Sequence, residues 1–246
     1  MSAMKISPTS CAISHVGRVR KVNEDACLDR GDIGMWVVAD GMGGHNAGDV
    51  ASQSIVAELR HIVAPDRLST MIDDIEDRLL EVNAYLRRIS AQQHNHGTVG
   101  STIVVLAIFG LHAACLWAGD SRIYRLRSGV LRQLTRDHSQ VEELIQQGLL
   151  RRDQAAGHPQ ANVITRAVGA DDNLLLDVDL TDVHPDDIFL LCSDGLYKHL
   201  SLEDMTNLLN TTSVESAARR LVDLANARGG TDNITVVVVR ASAAAA

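Results

Sequence analysis

Met35–Gly48, MWVVADGMGGHNAG, constrains the fold more tightly than any other stretch of the chain. Ile33, Met35, Trp36, Val37 and Val38 form an apolar, β-rich run without polar alternation, the pattern of a strand buried on both faces. The run ends on Asp40, where a carboxylate at a strand end faces a cleft rather than the core. Gly41, Gly43 and Gly44 then let the backbone turn sharply and let a ligand approach main-chain atoms closely. A single Asp-Gly is only a turn signal. Here the pattern recurs: Asp120 follows the strand Leu111–Ala118, Asp194 ends Ile188–Ser193, and Asp232 lies just before Ile234–Val239.

Four acidic residues at strand ends suggest carboxylates converging on one edge of a sheet core. Crowded carboxylates repel one another and need cations. Oxygen ligands without nearby His or Cys point to Mg²⁺ or Mn²⁺ rather than Zn²⁺, and the Gly41 carbonyl offers another hard ligand. Two such ions would acidify a bound water and clamp a phosphoryl group. Arg20, in the polar loop Gly17–Asp25 with Arg18, Lys21, Glu24 and Asp25, has the planar guanidinium that binds phosphate bidentately.

Along the chain, Cys11–Val16 reads as a first short strand. Val50–Val63 reads as an amphipathic helix, and Leu68 to Ile89 as a long one with Asp66 as its cap. Strands follow over Ser101–Phe109 and Leu111–Ala118, then a hairpin of Ile123–Leu126 and Val130–Leu134 around Ser128-Gly129. Asp137–Gly148 predicts a short helix, and the polar stretch on to Gly169 a helical insert over the site. Leu174–Leu180 and Asp187–Ser193 predict strands, Leu202–Leu209 and Val214–Ala227 helices, and Asn233–Val239 a last strand. Ser201 with Asp204, and Thr212 with Glu215, read as capping boxes. His94-Asn95-His96 has metal-binding side chains but no partners and reads as a helix end or loop.

This block order argues against regular βαβ winding and for antiparallel sheets with helices packed outside. The 246 residues are close to the upper size for one core, and no Pro-, Ser- or Gly-rich linker divides them. One domain over residues 1–246 is expected, with a flap at about 137–169 and a frayed tail at about 242–246. A net charge of -8 argues against a nucleic-acid partner. Four cysteines without C-x-x-C spacing offer neither a zinc site nor a disulfide framework. No secretory leader is read, and no apolar stretch reaches the ~18 residues of a membrane helix. A cytoplasmic location and no membrane partner are expected.

Eight stretches in order resemble one family: VRKVNED (Val19–Asp25), VADGMGGHNAG (Val38–Gly48), VGST (Val99–Thr102), AGDSRIY (Ala118–Tyr124), TRDHS (Thr135–Ser139), ITRAVG (Ile164–Gly169), LLCSDGL (Leu190–Leu196) and GGTDNITV (Gly229–Val236). The chain resembles the metal-dependent serine/threonine phosphatases of the PPM (PP2C) family in their compact bacterial form. The resemblance implies an α+β fold, a four-layer αββα sandwich of two antiparallel sheets flanked by helices, with a small helical flap. It implies Asp40 bridging two Mn²⁺ or Mg²⁺ ions, the Gly41 carbonyl on one, and Asp194 and Asp232 on the other. Asp120 matches a third, weaker metal position, Glu24 a ligand acting through water, Asp25 its neighbour, and Arg20 the phosphate-binding arginine. Phosphoserine or phosphothreonine would be hydrolysed directly by metal-activated water. The implied partners are phosphorylated proteins, including a cognate Hanks-type kinase and its substrates, with the enzyme a monomer. Some relatives serve type VI secretion loci. Animal members carry a histidine after the bridging Asp-Gly where this chain has Met42; His45 is a candidate general acid, and the assignment stays open.

Other readings have less support. LLLDVDLT (Leu174–Thr181) matches the D-x-D-x-T nucleophile motif of haloacid-dehalogenase-like phosphatases, but only about 65 residues follow it; an edge strand with Asp177 and Asp179 toward solvent is the simpler account. The glycine stretch lacks the Lys-Ser/Thr ending of a P-loop. A non-catalytic phosphoprotein-binding scaffold would be expected to have lost a metal carboxylate, and none is missing. A phosphatase of anti-sigma-factor antagonists is a further variant of the same fold.

Overall fold

The computed structural model describes residues 6–43, 47–92, 98–210 and 213–243. It begins with β1 (Ile6–His15), β2 (Asp25–Arg30) and β3 (Met35–Met42), followed by α1 (Ala47–Leu59) and α2 (Leu68–Gln92). Next come β4 (Gly100–Ser101), β5 (Ile103–Phe109), β6 (His112–Ala118), β7 (Arg122–Arg127) and β8 (Val130–Gln133). Then follow α3 (Gln140–Gln146), a 3-10 turn at Arg152–Gly157, β9 (Asp177–Asp182), β10 (Ile188–Cys192) and α4 (Asp194–Tyr197). α5 (Leu202–Leu209), α6 (Val214–Ala227) and β11 (Ile234–Ala243) complete the order.

Two antiparallel sheets result, β1-β11-β10-β7-β8 and β2-β3-β5-β6-β9, with β4 pairing the end of β3. The buried run of β3 sets the layers, because successive side chains point to opposite faces. Met35, Val37 and Ala39 pack with Ile55 and Leu59 of α1 and with Met71, Ile75 and Leu79 of α2. Trp36 and Val38 pack between the sheets with Phe189, Leu191, Val237 and Val239. Each large apolar side chain so buried contributes about 1.5–3 kcal/mol. The outer face of the other sheet is covered by α5 and α6 through Met205, Leu209, Ala218, Leu221 and Ala225. The layers are therefore helix, sheet, sheet, helix. Among the described residues no helix is long and apolar enough to cross a membrane.

Several elements match their sequence signals. α2, α5 and α6 fall where the helical spacing puts them. Ser128 and Gly129 both take positive φ, 50° and 78°, as a tight two-residue hairpin turn requires. Ser201 and Asp204 form the expected capping box.

Other boundaries move for identifiable reasons. β1 is ten residues long, because each residue from Ile6 to His15 has a partner on β11. The same pairing carries β11 to Ala243, so Ser242 and Ala243, expected to fray, face Ser7 and Ile6. α6 is capped by Ser213, whose hydroxyl accepts from the Ser216 N–H, rather than by a Thr212 box; Thr212 lies outside the described residues, as do Gly44, His45, His94–His96 and Ala244–Ala246. β9 starts only at Asp177, because Leu174 and Leu176 pack against the core beneath α2.

The Asp177 prediction also needs correction. β9 is an edge strand, but Asp177 pairs with Arg166 at 2.8 Å and lies 3.2 Å from His138 Nε2. It belongs to the root of the flap and has no parallel core after it, so it does not sit as the D-x-D-x-T nucleophile would. The flap itself returns on its own base: Gln140 N–H donates to Val163 O and Thr165 N–H to His138 O, both at 2.9 Å.

Candidate active site

The VGST stretch fixes Asp40 from behind. The Asp40 N–H donates to Thr102 Oγ1 at 3.1 Å, while the Asp40 carbonyl accepts from the Thr102 N–H at 2.9 Å and from Ser101 Oγ at 3.0 Å. The next residue packs tightly against the start of α1. A Cβ on Gly41 would lie 2.0 Å from Gly48 O and 2.5 Å from Glu24 O. Close backbone approach, rather than a sharp turn, is what excludes a side chain at Gly41.

The remaining acidic residues arrive from both sheets. Asp120 lies one glycine beyond the end of β6, and Tyr197 lays its hydroxyl on it, 3.1 Å from the Asp120 carbonyl and 3.3 Å from Oδ2. Asp194 opens α4. Asp232 precedes β11 and accepts from Arg20 at 2.9 Å. Asn233, which the motif reading did not single out, holds the Arg20 loop in place. Its Oδ1 accepts from the Glu24 N–H at 2.8 Å, and its Nδ2 donates to the Val16 and Val22 carbonyls at 2.9 and 3.0 Å.

Arg20, Glu24, Asp40, Gly41, Asp120, Asp194 and Asp232 all line one cavity of about 380 Å³. Met42 lines it too, and Asn162, Ile164 and Lys198 close it on the flap side. His45 lies outside the described residues. A larger hollow of about 620 Å³ between α1 and α2 is lined by Glu58, Glu81, Tyr85 and Arg88 and has no such convergence of carboxylates.

The electrostatics explain why this edge seeks cations. Asp40 is raised well above the ordinary carboxyl range by burial and by Asp25, Asp194, Asp120 and Asp232. Burial, reinforced by Asp194 and Asp137, lifts Asp120 to about 6. Asp25 faces Asp40 in register on β2 and is 3% exposed. It is raised to about 7 by burial, against the hydrogen bonds of Thr235 and Ser193, the latter at 2.7 Å. Two cations of the chain answer part of this charge: Arg20 on Asp232, and Lys198 on Asp194 at 2.5 Å. Burial works against the Lys198 charge, yet Asp194, Asp120 and Asp232 raise its pKa overall.

Among the described residues no three His, Cys, Asp or Glu side chains are closed into a ready metal cage. The donor set nevertheless fits hard divalent ions, because the cavity offers carboxylates and a carbonyl and, among its described lining residues, no imidazole or thiol.

The comparisons agree with this chemistry. Residues 14–234 match the model of the family described as Protein phosphatase 2C. The chain is 35% identical to the serine/threonine phosphatase stp of Listeria monocytogenes serotype 4b, over 91% of this chain and 92% of that protein. It superposes with a TM-score of 0.89 on PppA, a key regulatory component of T6SS in Pseudomonas aeruginosa, at 47% identity over 97% of this chain and 99% of that one. The catalytic domain of the serine/threonine protein phosphatase PstP, in complex with two manganese ions, gives a TM-score of 0.86 at 30% identity, covering 96% and 99% of the two chains.

Proposed function

Because this chain belongs to the protein phosphatase 2C family, we propose that it hydrolyses phosphoserine and phosphothreonine of proteins at the cavity around Asp40, opposing a Hanks-type kinase as a cytoplasmic monomer. The observation that carries this reading is the meeting of five acidic side chains and Arg20 in one cavity at the edge of the two sheets.

Asp40, the Gly41 carbonyl, Asp194 and Asp232 would hold two Mn²⁺ or Mg²⁺ ions, with Glu24 acting through water and Asp120 serving a third. When bound, such ions supply charge neutralisation and an activated water. The chain's own residues then do the positioning. Arg20 is half-exposed at the cavity rim, where its planar fork suits two phosphate oxygens and orients the ester for in-line attack. Thr102 and Ser101 keep the Asp40 backbone from shifting, and Asn233 keeps Arg20 and Asp232 on the same side. Met42 cannot donate a proton, so the leaving group draws its proton from another donor; His45 stays a candidate. The likeness to PppA supports a place in type VI secretion.

The test is hydrolysis of phosphoserine and phosphothreonine peptides by the parent and by Asp194→Asn, with Mn²⁺ and with EDTA. Phosphate release by the parent with Mn²⁺ alone is expected. Full release in EDTA, or by Asp194→Asn, would overturn the reading.

A further inference from the structure

α4 is a single turn, yet Tyr197 at its end and Lys198 just after it reach the flap from two sides. At the flap's beginning, Arg122 grips Asp137 through three contacts of 2.6–3.1 Å, and its guanidinium lies 3.5 Å above the Tyr197 ring. Tyr197 in turn holds Asp120. At the flap's far end, Lys198 does two things with one ammonium. Its Nζ folds back over α4 to Asp194 Oδ2 at 2.5 Å and donates to Asn162 Oδ1 at 2.7 Å. Asn162 and Ile164 line the cavity from the flap.

We propose that Lys198 is a positioning residue that fastens the flap to the Asp194 carboxylate, so that a divalent cation and the flap tether compete for that carboxylate. The proposal rests on the assignment of Asp194 as a metal carboxylate in the functional reading above. A doubly charged ion outbids an ammonium for a carboxylate oxygen. With Asp194 taken up by such an ion, Lys198 would be anchored to the flap alone through Asn162, and the flap would be freer to shift over a bulky phosphoprotein. Metal loading and access of a protein substrate are thereby coupled through one side chain.

Hydrogen exchange and metal titration read this coupling without any turnover. The flap offers amides to follow, including those of Gln154, His158, Ala161 and Val163, which donate to Arg151, Ala155, His158 and Gln160. In the parent, Mn²⁺ should speed exchange over residues 150–164. In Lys198→Met exchange should be fast already and indifferent to Mn²⁺, and calorimetric titration should show Mn²⁺ binding on the order of tenfold tighter. Asn162→Ala should speed flap exchange while leaving Mn²⁺ affinity as in the parent. Lys198→Gln, which keeps a hydrogen-bond donor without the charge, should tighten Mn²⁺ binding while retaining part of the flap protection. Parent-like flap exchange in Lys198→Met, or Mn²⁺ affinity that does not rise in either Lys198 variant, would overturn the tether. Loss of peptide hydrolysis by the parent would instead sink the phosphatase reading and leave these two measurements readable.

Discussion

Asp25 and Asp40 face each other as register partners on neighbouring strands, and burial pushes both carboxyls up. Replacing Asp40 by Asn keeps the shape and removes one of the repelling charges. In EDTA, Asp40→Asn should therefore unfold above the parent, by about 1–2 kcal/mol. Mn²⁺ should raise the melting temperature of the parent and not that of the variant. Calorimetric melting with and without Mn²⁺ decides it; a variant that melts lower in EDTA would show that Asp40 is not held under strain by its neighbours.

Among the described residues Arg20 donates a hydrogen bond to Asp232, and its side chain is half-exposed at the cavity rim. Arg20→Ala should lower kcat/KM for phosphopeptides on the order of 10²-fold, mostly through KM, because a charge-assisted bidentate contact is lost. Mn²⁺ affinity should change far less. Lysine should rescue only part of the loss, since a point charge does not reproduce the planar fork. Steady-state kinetics and Mn²⁺ titration of the two variants separate these roles, and unchanged kinetic constants would remove Arg20 from the substrate site.

Gly41 is the residue whose sequence reading changed most. Its freedom to turn looked like the reason for glycine, whereas the backbone of Gly48 and Glu24 leaves no room for a Cβ. Gly41→Ala should force β3 away from the start of α1 and displace Asp40 with it. The expected loss is about 2–4 kcal/mol of stability, comparable to other overpacking changes of this severity, together with weaker Mn²⁺ binding. Urea unfolding and metal titration measure both; a stable variant with parent-like Mn²⁺ affinity would mean the contact yields easily.

Local signals reveal those parts of the molecule that depend on local periodicity. α2 declares itself through Met71, Ile75, Leu79, Val82 and Leu86, all on its buried face. Asp40, Asp120 and Asp194 are legible because each sits where an apolar run stops, and Asp232 because it stands just before one begins. What stays hidden depends on pairs that only the sheet order brings together. Asn233 reaches back more than two hundred residues to Val16 and Val22. Ser193 meets Asp25 across 168 positions, and Lys198 meets Asn162 across 36. α4 is too short for any periodic pattern, and Tyr197 and Lys198 fall just beyond the LLCSDGL stretch, so no signal marks them. β9 reads three residues early because Leu174 and Leu176 supply apolar spacing while serving the core beneath α2 rather than a ladder.

His138 gives the fold a dependence on pH that can be assigned to one group. Its ring stacks on Trp117 with centroids 6.1 Å apart, and Nδ1 accepts from the Gly119 N–H at 3.2 Å, which places the proton on Nε2 beside Asp177. Burial holds the imidazole below its ordinary value; Asp177 pulls the other way and does not overcome this. The folded protein therefore accepts the proton at lower pH than the unfolded chain, whose histidines titrate near ~6.5. As pH falls below that value the unfolded state is protonated first, so stability declines from there until the folded ring is protonated too. Above it the contribution is fully present. His138→Asn, whose side-chain oxygen can still accept from Gly119, should remove this part of the slope in urea unfolding between pH 7.5 and 5. The ring of the parent, followed by NMR, should titrate with a midpoint below ~6.5, and a midpoint at or above that value would show that Asp177 outweighs burial and reverse the predicted slope.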